Sequence, residues 1–138
     1  LAAAADYSMA TQHAALKLSE LAIGIGPFVV GPAVERKLGT AAFSSLAIDA
    51  ASWRTAEWGL QNGLYAQLFN TPEELDAGVD ELASRLASSS PAAMASLKKV
   101  FWQGTDHWEQ LLADRAGVSG ALVLSEFTRE AIAAFKKR

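Results

Sequence analysis

The chain has no cysteine, which excludes both a disulfide frame and a thiolate metal site. Histidine is nearly as scarce: His13 and His107 stand far apart and lack any metal-ligand spacing, so each reads as a surface or packing residue. An excess of basic charge is also missing. Twelve Lys and Arg face fifteen Asp and Glu, a formal net charge of −3. A chain without a positive field has little with which to displace the counterions of a nucleic acid. No apolar run is long enough for a membrane. Leu21–Val34 carries no charge over fourteen residues, but a span needs about 20, and Gly24, Gly26, Pro27, Gly31 and Pro32 interrupt it. Signature motifs are absent as well: there is no G-x-S-x-G elbow, no phosphate-binding loop and no H-E-x-x-H. Gly24-Ile25-Gly26 continues into Pro27-Phe28-Val29, without the third glycine of a dinucleotide fingerprint.

What is present begins with Ser19-Glu20-Leu21-Ala22-Ile23-Gly24-Ile25-Gly26-Pro27, which sets one carboxylate at the mouth of that uncharged run. Ionised carboxylates are costly against an apolar wall, and carboxyls in such places are the ones that both accept and donate protons. The glycines and prolines oppose a regular helix and let backbone approach a ligand closely. Local sequence by itself favours a strand-end glutamate in a surface salt bridge, followed by a buried loop. Trp53, Trp58, Trp102 and Trp108 fit core or interface packing better than a stacking platform. Lys136, Lys137 and Arg138 could meet a phosphate, or form a solvated tail that complements a helix C-terminus.

With 138 residues the chain fits one domain with a sizeable core. Leu1–Ala5 reads as the tail of a buried, alanine-rich helix that starts before residue 1. No basic segment precedes it, so no signal peptide is expected, and the protein is expected in the cytoplasm. An apolar fraction of 51% implies surface meant for a partner or for further sequence. Asp6–Ala10, Ala14–Leu18 and Leu64–Phe69 read as short strands. Helices are expected from Val29 to Leu38 with Gly39 as its stop, from Ala41 to Ile48, and over Ser52–Leu60. Thr71-Pro72-Glu73-Glu74 is a strong helix start, with Leu75, Val79, Leu82 and Leu86 on one face. Ser90-Pro91 opens another helix, with Met94, Leu97 and Phe101 facing inward and Lys98 and Lys99 outward. Two more run from about Asp106 to Leu122 and from Phe127 onward.

The order of these pieces carries more than any one of them. After Ser-Glu-Leu-Ala-Ile-Gly-Ile-Gly-Pro come Arg36-Lys37-Leu38-Gly39, Leu46-Ala47-Ile48-Asp49-Ala50 and Ala56-Glu57-Trp58-Gly59-Leu60-Gln61-Asn62-Gly63-Leu64-Tyr65. Thr71–Leu75, Ser89–Ala93 and Glu130–Arg138 follow. Along its whole length this succession resembles the C-terminal half of the enoyl-CoA hydratase/isomerase (crotonase) family. Gly26-Pro27-Phe28-Val29-Val30-Gly31-Pro32 looks most like the bacterial branch of methylglutaconyl-CoA hydratases.

The resemblance implies an α/β crotonase-like fold, C-terminal portion, mostly helical with a few short strands. Residues 1–70 would be the end of the core with the catalytic loop, and 71–138 a helical oligomerisation region. Glu20, with Gly24 and Pro27, matches the family pattern x-x-E-x-x-x-G-x-x-P, whose glutamate is the general acid/base. A second family glutamate would fall immediately before Leu1, and the oxyanion-hole amides further upstream. A Glu there would favour hydration; a Gly would leave Glu20 alone. Phe28-Val29-Val30-Gly31 puts bulk where many members carry Gly-Ala-Gly-Gly beside the acyl pocket. The implied substrate contacts are Pro27, Phe28, Phe135 and Lys137, the last two near coenzyme A. The resemblance implies no separate cofactor or metal, coenzyme A being part of the substrate. It further implies a homotrimer or hexamer, completed by an N-terminal half of the same protein, with neither nucleic acid nor membrane as partner. The reaction would lie in fatty-acid or branched-chain amino-acid catabolism. The competing expectation is a crotonase-like module that binds and oligomerises without turnover.

Overall fold

The computed structural model describes residues 1–135. In chain order the elements are a 3-10 turn at Ala2–Ala4, β1 (Met9–Thr11), β2 (Ala15–Leu16), a second 3-10 turn at Glu20–Ile23, α1 (Gly31–Leu38), α2 (Thr40–Ile48) and β3 (Arg54–Thr55). Then follow α3 (Ala56–Gln61), β4 (Gln67–Phe69), α4 (Pro72–Ala87), α5 (Pro91–Phe101), α6 (Trp108–Val123) and α7 (Glu126–Phe135). The described chain is thus mostly helical with a few short strands.

The helix starts have side-chain causes. At α4 the Glu74 N–H donates to Thr71 Oγ1 at 3.2 Å, and the Asn70 N–H donates to Glu74 Oε2 at 2.9 Å. Two amides left without helical partners are satisfied at once, and Pro72 sits where no donor is needed. Ser90 Oγ accepts from the Ala93 N–H to open α5. Thr55, not Ser52, caps α3 by accepting from the Trp58 N–H. Ser52 instead precedes β3, which shortens the helix expected over Ser52–Leu60.

The chain divides into two compact units, and both are discontinuous in sequence. The first joins Leu1–Ala15 to Arg54–Asp106. Inside it β1 and β4 pair in parallel, with Met9 opposite Gln67, Ala10 opposite Leu68 and Thr11 opposite Phe69. The Ala66 N–H donates to the Ser8 carbonyl and the Gln12 N–H to the Phe69 carbonyl, both at 2.8 Å, extending the ladder at each end. Parallel strands cannot be joined by a hairpin, which is why their partners lie so far apart in sequence. Ala10, Ala56 and Leu64 are the buried apolar residues of this unit, and the Phe69 ring lies against Gly78 of α4, where a Cβ would not fit.

The second unit joins Leu16–Trp53 to His107–Arg138. Helix α1 ends at Gly39 with φ +78, a conformation that costs L side chains, and α2 follows at once. Ala42, Leu46 and Ala50 are buried, and Thr128 of α7 is completely so. Both units cut across the 1–70 and 71–138 division.

Three expectations are corrected. Leu1–Ala5 is not α-helical: Ala2–Ala4 form a one-turn 3-10 helix. The first strand sits at Met9–Thr11 rather than Asp6–Ala10 because Ser8 and Asp6 are drawn into side-chain bonds instead. Met94, Leu97 and Phe101 do not face inward: they are 37%, 51% and 48% exposed, and Val100 beside them is 63% exposed. The inward contact of α5 is polar, made by Lys98 and Trp102 with Asp6.

Candidate active site

Glu20 opens the 3-10 turn that ends at Gly24. Gly24 adopts φ +81, and its N–H bonds back to the carbonyls of Glu20 and Leu21. The Ile25 N–H reaches the Glu20 carbonyl at 3.0 Å, so the chain doubles back under the carboxylate. Beyond it the Phe28 N–H donates to the Gly26 carbonyl and the Gly31 N–H to the Pro27 carbonyl, both at 2.8 Å. The run that sequence marks as non-helical is therefore an ordered series of tight turns leading into α1.

The start of α7 braces this loop. Ser125 Oγ accepts from the Thr128 N–H at 3.3 Å and lies 3.2 Å from Thr128 Oγ1, fixing the first turn of the helix. The Phe127 ring then covers Gly24 so closely that a Cβ there would overlap it, and Thr128 Oγ1 would stand 2.8 Å from the same Cβ. The Phe28 ring folds back over Gly26 in the same manner. At Gly31 a Cβ would lie 3.0 Å from Phe43 and 3.3 Å from Arg115 Nη1, whose guanidinium also reaches the Phe28 carbonyl at 3.4 Å. Each glycine of the loop is thus occupied from the outside by a named side chain.

The carboxylate itself stands apart from this bonding. Glu20 Oε2 is buried and has no hydrogen-bond partner among the described residues. The alternative of a surface salt bridge does not fit such an atom. An unpartnered buried oxygen costs about 1–3 kcal/mol. Alongside the turn lies a half-open cavity of about 740 Å³, walled by Ala22 and Ile23, by Ala51 after α2, and by Ala131 and Ile132 of α7. Lys17 and Ser19 supply its polar edge. Among the described residues no cluster of three or more His, Asp or Glu side chains could hold a metal ion. No helix among them is long and apolar enough to cross a membrane.

The profile of the enoyl-CoA hydratase/isomerase family matches residues 1–138, the full sequence. The chain belongs to this family. Solved structures agree in fold. An enoyl-CoA hydratase/isomerase from Pseudoalteromonas atlantica T6c superposes with a TM-score of 0.87 at 19% identity, covering 99% of this chain and 55% of that one. An enoyl-CoA hydratase from Mycobacterium avium gives 0.88 at 23% identity, covering 99% and 53%. A carnitinyl-CoA hydratase from the same species gives 0.80 at 22% identity, covering 99% and 53%. The fold is crotonase-like, and the chain spans about half the length of these structures. No curated protein matches it.

Within the family frame, Glu20, Pro27 and Phe28 fall on one continuous loop of the second unit. Phe135 is the last described residue of α7, and Lys137 lies outside the described residues. Sequence reasoning missed Phe127 and Thr128 as the residues that hold Gly24. Ser125, three positions before Thr128, was the available signal: a hydroxyl residue ahead of Glu126-Phe127 is an N-cap. It also missed the pairing of Lys17 with Trp53, whose ring centroid is 4.7 Å from the ammonium nitrogen.

Proposed function

We propose that this chain carries the proton-transfer part of an acyl-CoA lyase or isomerase site and that its reaction is hydration of an enoyl-CoA thioester. The supporting observation is the buried, unpartnered Oε2 of Glu20 on the turn closed by Gly24. In this reading Glu20 accepts a proton from water as the water oxygen bonds to carbon 3 of the enoyl group. The electron pair of the double bond passes to the thioester oxygen, and a proton returned at carbon 2 quenches the enolate. Backbone amides outside this chain would hold the thioester oxygen.

Pro27 and Phe28 would border the acyl group, the Phe28 ring favouring a compact or branched acyl chain over a long straight one. Phe135 and Lys137 would lie toward coenzyme A, which enters as part of the substrate, with no further cofactor. The finer assignment is to methylglutaconyl-CoA hydration in leucine breakdown, on the strength of the Gly26–Pro32 sequence. Residues 71–138 would build a trimer or a dimer of trimers, a closed assembly of C3 character.

The test is Glu20→Gln in the intact natural protein. Turnover of enoyl-CoA thioesters should fall about a hundredfold or more, while acyl-CoA binding persists, because glutamine keeps the shape and loses the proton acceptor. Full activity of the variant would remove Glu20 from the chemistry and put a non-catalytic binding and assembly module in first place.

A further inference from the structure

The backbone that carries Phe28 has a gap in its bonding, and the sequence explains it. From Pro27 onward the turns run in helical register. The Gly31 N–H donates to the Pro27 carbonyl at 2.8 Å and the Val34 N–H to the Val30 carbonyl at 3.1 Å. In that register the Phe28 carbonyl would accept from residue 32, which is proline and has no N–H. Its donor comes from elsewhere: Nη1 of Arg115, 87 positions away on α6, approaches it at 3.4 Å.

Gly31 keeps the space that the guanidinium occupies. A Cβ there would stand 3.3 Å from Arg115 Nη1 and 3.0 Å from the Phe43 ring, so both pack against bare backbone. On the other side the Phe28 N–H donates to the Gly26 carbonyl at 2.8 Å, and the Phe28 ring covers Gly26. Phe28 is thus tied at both peptide groups, one to the loop before it and one to α6. The two backbone torsions that aim its ring are fixed between those ties.

We propose that Arg115 is a positioning residue: it supplies the donor that Pro32 lacks, locks the Phe28 backbone and holds the Phe28 ring where it limits the length of an acyl chain. A charged donor makes a stronger bond to a carbonyl than a neutral one, and the planar guanidinium loses less freedom per bond than a lysine side chain. The Glu20 turn is closed by its own bonds at Gly24, so loss of Arg115 should loosen the Phe28 segment and leave that turn in place. The hold on Phe28 stands by itself. Its effect on acyl length rests on the reading above, in which Phe28 borders the acyl group.

The test restores the missing donor. The intact natural protein, Arg115→Met and the double variant Arg115→Met/Pro32→Ala are compared in two ways. Hydrogen exchange is followed at the Phe28 and Gly31 amides, and butyryl-CoA and decanoyl-CoA, both saturated and unreactive, are titrated calorimetrically. Arg115→Met should speed exchange at both amides about tenfold or more. It should also raise the decanoyl-to-butyryl affinity ratio about fivefold or more. Pro32→Ala in that background gives residue 32 an N–H for the Phe28 carbonyl and should bring both readouts back toward wild type. An arginine that merely stabilised the fold would leave the affinity ratio where it was, and Pro32→Ala would not repair its loss. Unchanged exchange in Arg115→Met overturns the hold on Phe28. Faster exchange with an unchanged ratio overturns its bearing on acyl length. Absence of acyl-CoA binding by the wild type would refute the functional reading and the acyl-length role with it, while exchange still decides whether Arg115 holds Phe28.

Discussion

Asp6 and Lys98 lie 92 positions apart in sequence, and their side chains meet at 2.6 Å. The other oxygen of the same carboxylate accepts from Trp102 Nε1, also at 2.6 Å, and the Lys98 ammonium lies 4.6 Å from the centre of the Trp102 ring. One carboxylate therefore holds Lys98 in the last turn of α5 and Trp102 just after it, and the cation and the indole hold each other. This three-way contact is the polar inward face of a helix whose apolar residues point outward.

Its removal should be felt in stability rather than in chemistry. Asp6 and Lys98 are 31% and 55% exposed at their side chains, so water and salt screen the pair. Asp6→Ala should cost about 1–2 kcal/mol, the indole bond contributing more than the ion pair. Denaturant melts of Asp6→Ala, Lys98→Met and the double variant would check it. Strictly additive losses would mean that the carboxylate and ammonium act separately.

Gly24→Ala should be far more disruptive than an ordinary surface glycine change. The φ of +81 is costly for any side chain, and the added methyl would meet the Phe127 ring and Thr128 Oγ1. Strain and overlap together should cost about 2–4 kcal/mol. Pairing the change with Phe127→Ala should recover the overlap but not the backbone strain, so a partial rescue of melting temperature is expected. Full rescue would show the backbone conformation to be cheap, and no loss at all would place Phe127 away from Gly24.

Glu20→Met should stabilise the protein while abolishing turnover. The buried Oε2 has no partner among the described residues, and an apolar side chain of similar length removes that burden, with a gain of about 1 kcal/mol. Melting temperature and turnover measured on the same preparation give the answer. A destabilised Glu20→Met would mean that the carboxylate is structurally satisfied, which contradicts the site geometry.

Glu73 supplies a pH test at the start of α4. Its own backbone N–H and then the Thr71 hydroxyl favour the ionised carboxylate and hold it below its ordinary value of 4.5. A carboxyl depressed in the folded state contributes stability above the unfolded value. That stability disappears as pH falls through the folded value. The melting-temperature difference between wild type and Glu73→Gln should be present at neutral pH and close on acidification below pH 4.5. A difference that stayed constant across that range would assign the effect to helix propensity instead.

How much of this was legible beforehand differs by element. Thr71-Pro72-Glu73-Glu74 announced α4 because capping is local: donor, acceptor and turn lie within four residues. Gly39 marked the end of α1 for the same reason. Met94, Leu97 and Phe101 misled because helical spacing says which residues share a face and not which face meets the protein. The choice was made by Asp6, which no local pattern links to α5.

The candidate site divides along the same line. Sequence alone determined the family and, by the spacing of Glu20, Gly24 and Pro27, which carboxylate leads the loop; these are matters of chain order and short-range backbone freedom. Only the tertiary structure decided that Glu20 Oε2 is buried without a partner, that Phe127 and Thr128 close over Gly24, and that Lys17 stands on Trp53 at the edge of a methyl-lined cavity. Burial and proximity between distant segments are set by how helices and turns pack, which no local pattern encodes.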